Sequence, residues 1–390
     1  MDEPRSIVIV GGGLAAAHAV ESLRDMDYAG RLTVVAREPH LPYERPPLSK
    51  GYLAGNDERE AAFPHDAGWY RDNDVTVRVG TAATDLDLGG RVVVLDSGES
   101  LGYDRLLIAT GASPRTLQLP GIGHALTLRT IDDSERLRAA FAKGGRLVVI
   151  GAGWIGLEVA ATARQAGMEV TVLEAGERPL GAVFGPVLAD HLTAIHQRNG
   201  VVIHTGVTIE AVTEHGVVTS DDTFEADLVL LGVGATPTSG LAESAGLAVD
   251  DGILTDEHLR TSDPYVHAAG DVANARNTVL GRHLRVEHWD NAIRQGRLAG
   301  RTMLGVDDTY DWLPYFFTDQ FDFSMEYVGR SAPDDEVVLR GDVDAGEFVA
   351  WWLRDGVVTA GMNVNVWDVN DRIRELVGQR VDPADLPDLQ

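Results

Sequence analysis

Short apolar runs, each bounded by a glycine-rich or polar turn, recur along the chain and predict strands that alternate with helices. Near the N-terminus, SIVIVGGGLAAAHAVESL predicts a strand, a glycine turn and an alanine-rich helix. From residue 146, RLVVIGAGWIGLEVAATARQAGMEVTVLE repeats this order and adds a second strand. We therefore expect an α/β fold with two doubly wound, Rossmann-like dinucleotide-binding domains.

Later segments predict buried strands and a β-hairpin. LLIATG and VHAAGD are each a short apolar run that ends in a turn. In EFVAWWLRDGVVTAGMNVNV, Asp355-Gly356 lies between two apolar runs, which is typical of a hairpin. Trp351 and Trp352 in this segment are expected to pack in a core rather than to take part in chemistry.

Composition and charge limit the possible functions. With 390 residues, 44% of them hydrophobic, the chain can bury a large core. Its net charge of -27 argues against nucleic acid and anionic membrane as partners. No apolar run reaches the roughly 20 residues of a membrane span, and the acidic start MDEPR lacks the basic region of a signal peptide. We therefore expect a cytoplasmic protein that acts on small molecules or on a protein that docks locally.

The chain contains no cysteine. This excludes a disulfide redox pair, a thiol nucleophile and a cysteine-ligated iron-sulfur cluster. Any redox chemistry must therefore use a bound organic cofactor, and no metal site is predicted.

The first glycine loop carries the pattern Gly11-x-Gly13-x-x-Ala16. Gly11 allows a tight turn, Gly13 allows close approach of a pyrophosphate, and Ala16 is small enough to pack where helix meets strand. A single copy of this pattern could equally be an ordinary tight turn. The acidic residue expected at the end of the next strand is replaced by Ala36, so we assign the ribose contact to Glu38. Arg37 could lie over an adenine, lie near phosphates or be solvated.

The second glycine loop repeats the pattern as Gly151-x-Gly153-x-x-Gly156. Glu174 follows about 20 residues later at the end of a strand, as the dinucleotide fold requires. Its carboxylate would accept hydrogen bonds from an adenosine ribose and repel a 2′-phosphate, which predicts a preference for NADH. The alternative is a solvated acid at a strand end.

Together these motifs resemble the FAD- and NADH-dependent ferredoxin reductases that serve bacterial oxygenases, over nearly the whole chain. The resemblance depends on the two glycine loops and on YERPPLSK, LLIATGASP, TSDPYVHAAGDVA and VEHWDNAIRQG. It implies an FAD domain at residues 1–113 and 240–311, an NAD domain at 114–239 and a C-terminal α+β domain at 312–390. The Pro-, Gly- and Ser-rich segments SPRTLQLPG and GATPTSG support the two crossings.

The resemblance also implies the residues of the site. It places Lys50 beside the flavin N5 and pairs it with Glu158, whereas without it the two would be a solvated surface pair. Asp271 would bind a ribityl hydroxyl, with a helix N-cap as the alternative, and a helix that starts around Glu287 to Trp289 would border the flavin. The complete set of predicted cofactor-binding residues is Gly11, Gly13, Leu14, Ala15, Ala16, Arg37, Glu38, Arg45, Lys50, Ala83, Thr110, Gly111, Arg129, Gly151, Gly153, Ile155, Gly156, Glu158, Glu174, Gly234, Gly270, Asp271, Glu287, His288, Trp289 and Phe317.

Lys50 is one of only two lysines in the chain, the other being Lys143, and it follows the rigid Pro46-Pro47 pair. A cation near a flavin would stabilise the negative charge of the reduced state. In related disulfide reductases this region carries a redox cysteine pair, so PPLSK excludes a dithiol relay.

Two departures from the family concern the electron acceptor. The segment YFFTDQ has Phe317 where tryptophan is common, and MNVNVWDV replaces a VNRP-like stretch. A segment from Arg276 to Arg301 carries six arginines against two acids, a balance of +4, and could steer an acidic iron-sulfur protein. Arginines that pair with neighbouring acids are the alternative.

We therefore expect an NADH-dependent flavoenzyme that reduces a ferredoxin or rubredoxin for a P450 or another oxygenase. Two alternatives remain at this stage. One is an NADH oxidase or a small-acceptor reductase similar to monodehydroascorbate reductase. The other is an NADH-sensing flavoprotein similar to apoptosis-inducing factor.

Overall fold

The computed structural model describes residues 4–388, so residues 1–3 of the acidic N-terminal stretch and residues 389–390 lie outside it. The chain forms two compact units. The first contains residues up to Glu44, Arg59–Ser113 and Ala235–Trp312. The second contains Arg45–Glu58, Pro114–Gly234 and the residues from Leu313 onward. The domains predicted from the sequence are defined by cofactor instead, and their boundaries stay a prediction.

The first unit is built on a five-stranded parallel sheet. Its strands, in spatial order, are Val266–Ala268, Arg105–Ile108, Ser6–Val10, Arg31–Val35 and Val75–Arg78. Alternate side chains of these strands enter two separate hydrophobic clusters, one on each face of the sheet. Burial on both faces explains why the strands are continuous apolar runs rather than alternating ones.

Helices and two smaller sheets complete the first unit. The helices are Leu14–Asp25, Ala67–Asp72, Gly240–Ser244 and Trp289–Met303, with 3₁₀ turns at Arg59–Ala62 and Gly270–Val272. The first smaller sheet contains Ala83–Asp87, Val92–Leu95 and Ser100–Gly102. The second contains Ile253–Thr255, Ala273–Asn277 and Arg282–Arg285. The short strands Ala112–Pro114 and Ala235–Pro237 pair with each other.

The second unit has a four-stranded parallel sheet, in the order Val201–His204, Glu169–Leu173, Arg146–Ile150 and Leu228–Leu231. A three-stranded sheet adds Ile209–Thr213, Gly216–Thr219 and Thr223–Glu225. Its helices are Gly51–Ala54, Ile131–Phe141, Trp154–Gln165, Gly181–Phe184, Pro186–Arg198 and Asn370–Leu376, with 3₁₀ turns at Pro46–Ser49, Ile122–His124 and Pro383–Asp385. Two clusters again cover the two faces of the parallel sheet.

An antiparallel sheet of five strands occupies the C-terminal part of this unit, in the order Tyr315–Gln320, Phe323–Gly329, Val357–Val364, Glu347–Arg354 and Glu336–Asp342. The predicted hairpin is confirmed, because Asp355 and Gly356, both with positive φ, connect the paired strands on either side. Trp351 and Trp352 are fully buried on opposite faces of this sheet. The predicted fold class, two parallel α/β sheets followed by a C-terminal α+β region, is therefore confirmed.

Among the residues described, every helix is too short or too polar to cross a lipid bilayer.

Candidate functional site

The first glycine loop connects the strand Ser6–Val10 to the helix Leu14–Asp25. Gly11 has a φ of +128°, and a Cβ added to it would lie 2.0 Å from the carbonyl oxygen of Ala109. A Cβ added to Gly13 would meet no atom within 4 Å, so this position faces open space. The helix has neither a side-chain cap nor an acidic residue in its first turn. Its first N–H groups can therefore bind an anion.

The second glycine loop, between Arg146–Ile150 and Trp154–Gln165, has the same construction. Gly151 has a φ of +100°, and a Cβ added to Gly156 would lie 2.2 Å from the carbonyl oxygen of Gly151. A Cβ added to Gly153 would only touch one carbonyl oxygen, at 3.8 Å. No side chain caps the helix. Both loops therefore combine a tight turn with an open approach to a helix N-terminus, which fits a pyrophosphate.

Glu174 follows the strand Glu169–Leu173, and its carboxylate is held at the second glycine loop. Oε2 accepts a hydrogen bond from the N–H of Ala152 at 2.7 Å, and Oε1 accepts one from the N–H of Gly176 at 2.7 Å. Ala152 lies between the first two glycines of the loop. Because a carboxylate oxygen has two lone pairs, each oxygen keeps one for a ligand hydroxyl.

The corresponding region of the first unit is different. Ala36 is buried against the first glycine loop, since its Cβ lies 2.5 Å from where a Cβ on Gly12 would be. Arg37 is exposed, whereas Glu38 is half-buried and accepts a hydrogen bond from the hydroxyl of Tyr43. The roles assigned to Arg37 and Glu38 stay predictions.

Gly270 and Asp271 form a 3₁₀ turn after the strand Val266–Ala268. Gly270 has a φ of +79°, and its N–H donates to Oε1 of Gln295 at 2.9 Å. Asp271 is the second residue of this turn and not an N-cap. The alternative interpretation of Asp271 as a helix cap is therefore wrong, while its contact with a ribityl hydroxyl stays a prediction.

The helix predicted around Glu287 to Trp289 begins at Trp289. His288 caps it, because its Nδ1 accepts a hydrogen bond from the N–H of Asp290 at 3.3 Å. This helix packs closely on the first glycine-loop helix, since a Cβ on Gly296 would lie 2.4 Å from the carbonyl oxygen of Ala15. The first glycine loop and VEHWDNAIRQG therefore belong to one packed arrangement.

Gln295, in the same helix, is fully buried. Its Nε2 has no hydrogen-bond partner within residues 4–388. A buried amide donor of this kind needs an acceptor, such as a ligand oxygen or a water. It fits a polar ligand bound between the glycine loop and this helix.

Lys50 and Glu158 form an ion pair in the second unit. Lys50 follows the 3₁₀ turn Pro46–Ser49, and its Nζ lies 2.6 Å from Oε1 of Glu158. The Glu158 side chain is only 4% exposed and that of Lys50 19%. Ser49 donates a hydrogen bond to Oε2 of Glu158 at 2.5 Å, and the Thr162 hydroxyl donates to the carbonyl oxygen of Ser49 at 2.9 Å. The pair is therefore a hydrogen-bonded pair with a buried carboxylate and a half-buried ammonium, and not a solvated one.

Aromatic and apolar side chains of the second unit include two of the predicted residues. The ring centroid of Phe317 lies 5.5 Å from Nζ of Lys50, within the range of a cation–π interaction. Trp154, the first residue of the second glycine-loop helix, lies 4.1 Å from the ring of Phe316. The next residue, Ile155, is 42% exposed. The side chain of Ile155 is therefore accessible to a ligand, and its contact with a nucleotide stays a prediction.

The remaining predicted residues lie in turns or at the ends of strands. Arg45 and Arg129 are in contact, since Nη1 of Arg45 donates to the carbonyl oxygen of Arg129 at 2.6 Å. The hydroxyl of Thr110 donates to the carbonyl oxygen of Thr238 at 2.7 Å. Ala83 begins the strand Ala83–Asp87, and two further positions are glycines with positive φ, namely Gly111 and Gly234.

Most arginines of the basic segment between Arg276 and Arg301 have acidic partners. Arg285 is only 14% exposed, lies 3.2 Å from Asp251 and also pairs with Glu287. The other ion pairs are Arg276 with Glu257, Arg294 with Asp290, Arg297 with Glu21 and Arg301 with Asp308. Acids from outside the segment therefore offset much of its positive charge. This favours the interpretation that these five arginines pair with neighbouring acids rather than steer a partner protein.

Sequence reasoning missed several polar residues that contact the Lys50–Glu158 pair directly or through others. They are Ser49, Thr318, Gln320 and His196. Thr318 and Gln320 belong to the motif YFFTDQ, from which only Phe317 was predicted as a site residue. His196 lies in no motif and could not be found from the sequence.

Comparison with known proteins gives matches over almost the whole chain. Residues 5–296 match the family described as pyridine nucleotide-disulphide oxidoreductase, and residues 315–390 match the one described as reductase C-terminal. The ferredoxin–NAD(+) reductase component of the anthranilate 1,2-dioxygenase system of Burkholderia cepacia is 37% identical, over 98% of this chain and 96% of that protein.

Two solved structures are also similar. One is the ferredoxin reductase for the CYP199A2 system of Rhodopseudomonas palustris, with a TM-score of 0.93 and 36% identity over 97% of this chain and 96% of the other. The second is the reductase in the covalent putidaredoxin reductase–putidaredoxin complex, with a TM-score of 0.92 and 34% identity over 97% and 94% of the two chains. The resemblance predicted from the motifs is confirmed.

Proposed function

Because the chain belongs to the pyridine nucleotide-disulphide oxidoreductase family, and within it to the ferredoxin reductases, we propose that it transfers electrons from NADH through FAD to a small iron-sulfur protein. The observation that carries this proposal is the match to such reductases along almost the entire chain, including the C-terminal region. One NADH would reduce two acceptors, each by one electron, with release of NAD+ and a proton. The acceptor is a ferredoxin or rubredoxin that serves a P450 or another oxygenase.

The residues of the first unit fit an FAD. We assign the pyrophosphate to the first glycine loop, because Gly13 faces open space in front of an uncapped helix N-terminus. Gly270, Asp271 and the start of the helix at Trp289 supply further polar contacts, and the buried Nε2 of Gln295 can donate to an oxygen of the ligand. When bound, FAD takes up a hydride and releases its two electrons singly.

The residues of the second unit fit an NADH. The N–H groups behind Gly153 would bind the pyrophosphate, and Glu174 would accept hydrogen bonds from the adenosine ribose through the lone pairs that its backbone contacts leave free. The family uses FAD and NAD(H). Preference for NADH over NADPH belongs to the proposal, as does the assignment of residues 1–113 and 240–311 to FAD, 114–239 to NAD and 312–390 to a C-terminal domain.

Lys50 is the residue proposed to favour flavin reduction. Glu158 and Ser49 hold its environment in place, so the ammonium can stay fixed where negative charge develops. A preorganised cation of this kind lowers the barrier because it needs no reorganisation during hydride transfer. A cytoplasmic location also belongs to the proposal, since NADH is available there.

The test is anaerobic stopped-flow reduction of the FAD-loaded protein with NADH and with NADPH, followed by mixing with a panel of oxidised ferredoxins and rubredoxins. We expect rapid bleaching of the flavin with NADH, slower bleaching with NADPH, and reoxidation by at least one iron-sulfur protein at two acceptors per flavin. No transfer to any iron-sulfur protein, with rapid reoxidation by oxygen alone, would contradict the proposed function.

A further inference from the structure

A chain of hydrogen bonds extends from the Lys50–Glu158 pair into the interior of the second unit. The hydroxyl of Thr318 donates to Oε1 of Glu158 at 2.5 Å, and Nε2 of Gln320 donates to that hydroxyl at 3.1 Å. Nε2 of His196 then lies 2.8 Å from Oε1 of Gln320. Thr318, Gln320 and His196 are each at most 1% exposed.

The direction of every bond in this chain follows from the charge on Glu158. An ionised carboxylate can only accept, so the single proton of the Thr318 hydroxyl is directed to it. Thr318 can then only accept from its other neighbour, which orients Gln320 with its N–H toward Thr318 and its carbonyl oxygen toward His196. That oxygen needs a donor, so His196 must carry a proton on Nε2.

The chain of hydrogen bonds ends at His196. Nδ1 of His196 has no hydrogen-bond partner among residues 4–388, and the ring contacts the Phe321 ring at 5.1 Å. Burial also lowers the pKa of His196, which keeps the ring neutral. Among residues 4–388 the series of hydrogen bonds therefore ends at this ring, and its members hold one another in place.

The chain of hydrogen bonds also joins three separate parts of the second unit. Glu158 lies on the second glycine-loop helix, Thr318 and Gln320 on an edge strand of the C-terminal sheet, and His196 on the helix Pro186–Arg198. Because Oε1 of Glu158 is shared by Lys50 and Thr318, the hydroxyl of Thr318 constrains the same oxygen that pairs with Lys50.

We propose that Thr318, Gln320 and His196 are positioning residues that orient the Glu158 carboxylate and so fix Lys50 for flavin reduction. This inference rests on the proposed function, in which Lys50 acts at the flavin. None of the three touches the reacting atoms in this proposal. Their effect should therefore fall on the rate of flavin reduction and not on the affinity for NADH.

The kinetic test compares Thr318→Val with Thr318→Ser. Valine has the same shape but cannot donate, so we expect the limiting rate of flavin reduction by NADH to fall about tenfold, with an unchanged Kd for NADH. Serine keeps the hydroxyl and should restore most of the rate. Thr359→Val is the matched control, because Thr359 donates to another carboxylate, Asp335, at 2.7 Å in the same C-terminal sheet.

Gln320→Met is a second variant that tests the chain beyond Thr318, and it should slow flavin reduction by a smaller factor. A normal limiting rate in Thr318→Val would overturn the inference, and a normal rate in Gln320→Met would overturn the role of Gln320 and His196. Failure of the wild-type flavin to be reduced by NADH would instead contradict the proposed function.

A spectroscopic test needs no electron transfer. Nitrogen-15 NMR of histidine-labelled, FAD-loaded protein, with His196 assigned from His196→Gln, should show a neutral ring protonated on Nε2. A ring protonated on Nδ1 in the wild-type protein would overturn the order of donors and acceptors along the chain, whatever the kinetics show.

Discussion

Replacement of Glu174 should reveal how the protein selects its nucleotide. The carboxylate performs two tasks in the structure, since it accepts the N–H of Ala152 and the N–H of Gly176, and it keeps a lone pair on each oxygen for a ribose hydroxyl. Glu174→Ala removes both tasks. Glu174→Gln removes the charge but leaves one backbone hydrogen bond possible.

The two effects of the substitution can be separated by comparing kcat/KM for NADH with kcat/KM for NADPH. Loss of the backbone contacts loosens the glycine loop equally for NADH and NADPH, so it cancels in the ratio of their kcat/KM values. A hydrogen bond from a ribose hydroxyl to a charged acceptor contributes about 1.5–3 kcal/mol, which is lost only for NADH. Relief of repulsion favours NADPH in addition, with about 4 kcal/mol as an upper figure for two unit charges 4 Å apart near a protein surface. The NADH-to-NADPH ratio should therefore fall at least about tenfold.

The assay is the rate of flavin reduction at several concentrations of each nucleotide. Glu177→Ala is the matched control, because Glu177 lies three residues away, carries the same charge and is 94% exposed. It should leave the ratio unchanged. A wild-type preference for NADPH, or an unchanged ratio in both Glu174 variants, would refute the role assigned to this carboxylate.

Four further predictions test the remaining assignments. Lys50→Met should retain FAD but slow flavin reduction at least about tenfold, whereas the exposed Lys143→Met should not; equal rates would remove the role of Lys50. Gly13→Ala should change the unfolding free energy of the FAD-free protein by less than about 0.5 kcal/mol, since the added Cβ meets no protein atom. The same Cβ would occupy the space assigned to the pyrophosphate, so FAD binding measured by fluorescence should weaken. An unchanged Kd for FAD would contradict this site. Because Arg294 already pairs with Asp290, Arg282→Glu combined with Arg294→Glu should leave ferredoxin reduction at low salt unchanged. Slower ferredoxin reduction with normal flavin reduction would instead support docking at this segment. Burial lowers the pKa of His267 to about 3, so between about pH 6.5 and 3 the unfolded chain binds a proton that the folded chain does not. The free energy of unfolding should therefore fall as the pH drops through this range, by about 1.4 kcal/mol per pH unit from this group. In urea unfolding, His267→Leu should reduce this dependence on pH.

Much of the fold could be predicted from the sequence because its signals are local. The strands of both parallel sheets are continuous apolar runs, and Gly11 and Gly151 mark the turns that follow two of them. The packing of Arg45–Glu58 with the second unit could not be predicted in this way. It depends on Leu53 entering a core with Leu137 and Phe141, more than 80 residues later, and no local pattern encodes that contact.

The candidate site shows the same division. That Glu174 lies at the second glycine loop could be predicted, because glycines, helix, strand and acid follow at fixed spacing there. A local count of arginines and acids left the pairing of the arginine segment open, since Glu21, Asp251 and Asp308 approach it from other parts of the chain. Thr318 lies in the motif YFFTDQ, but its contact with Glu158 spans 160 residues, so only the folded structure shows that contact.

The absence of cysteine gives the Lys50–Glu158 pair its significance. The family takes its name from disulphide chemistry, yet this chain cannot store electrons in a disulfide, so under the proposed function each electron must leave FAD directly for the external acceptor. Under the proposed function, a fixed cation such as Lys50 would stabilise negative charge that develops on the flavin. A buried cation is costly unless it is paired and hydrogen-bonded. Glu158 with its two hydroxyl donors meets that condition, which explains why a lysine can occupy a site with only 19% exposure.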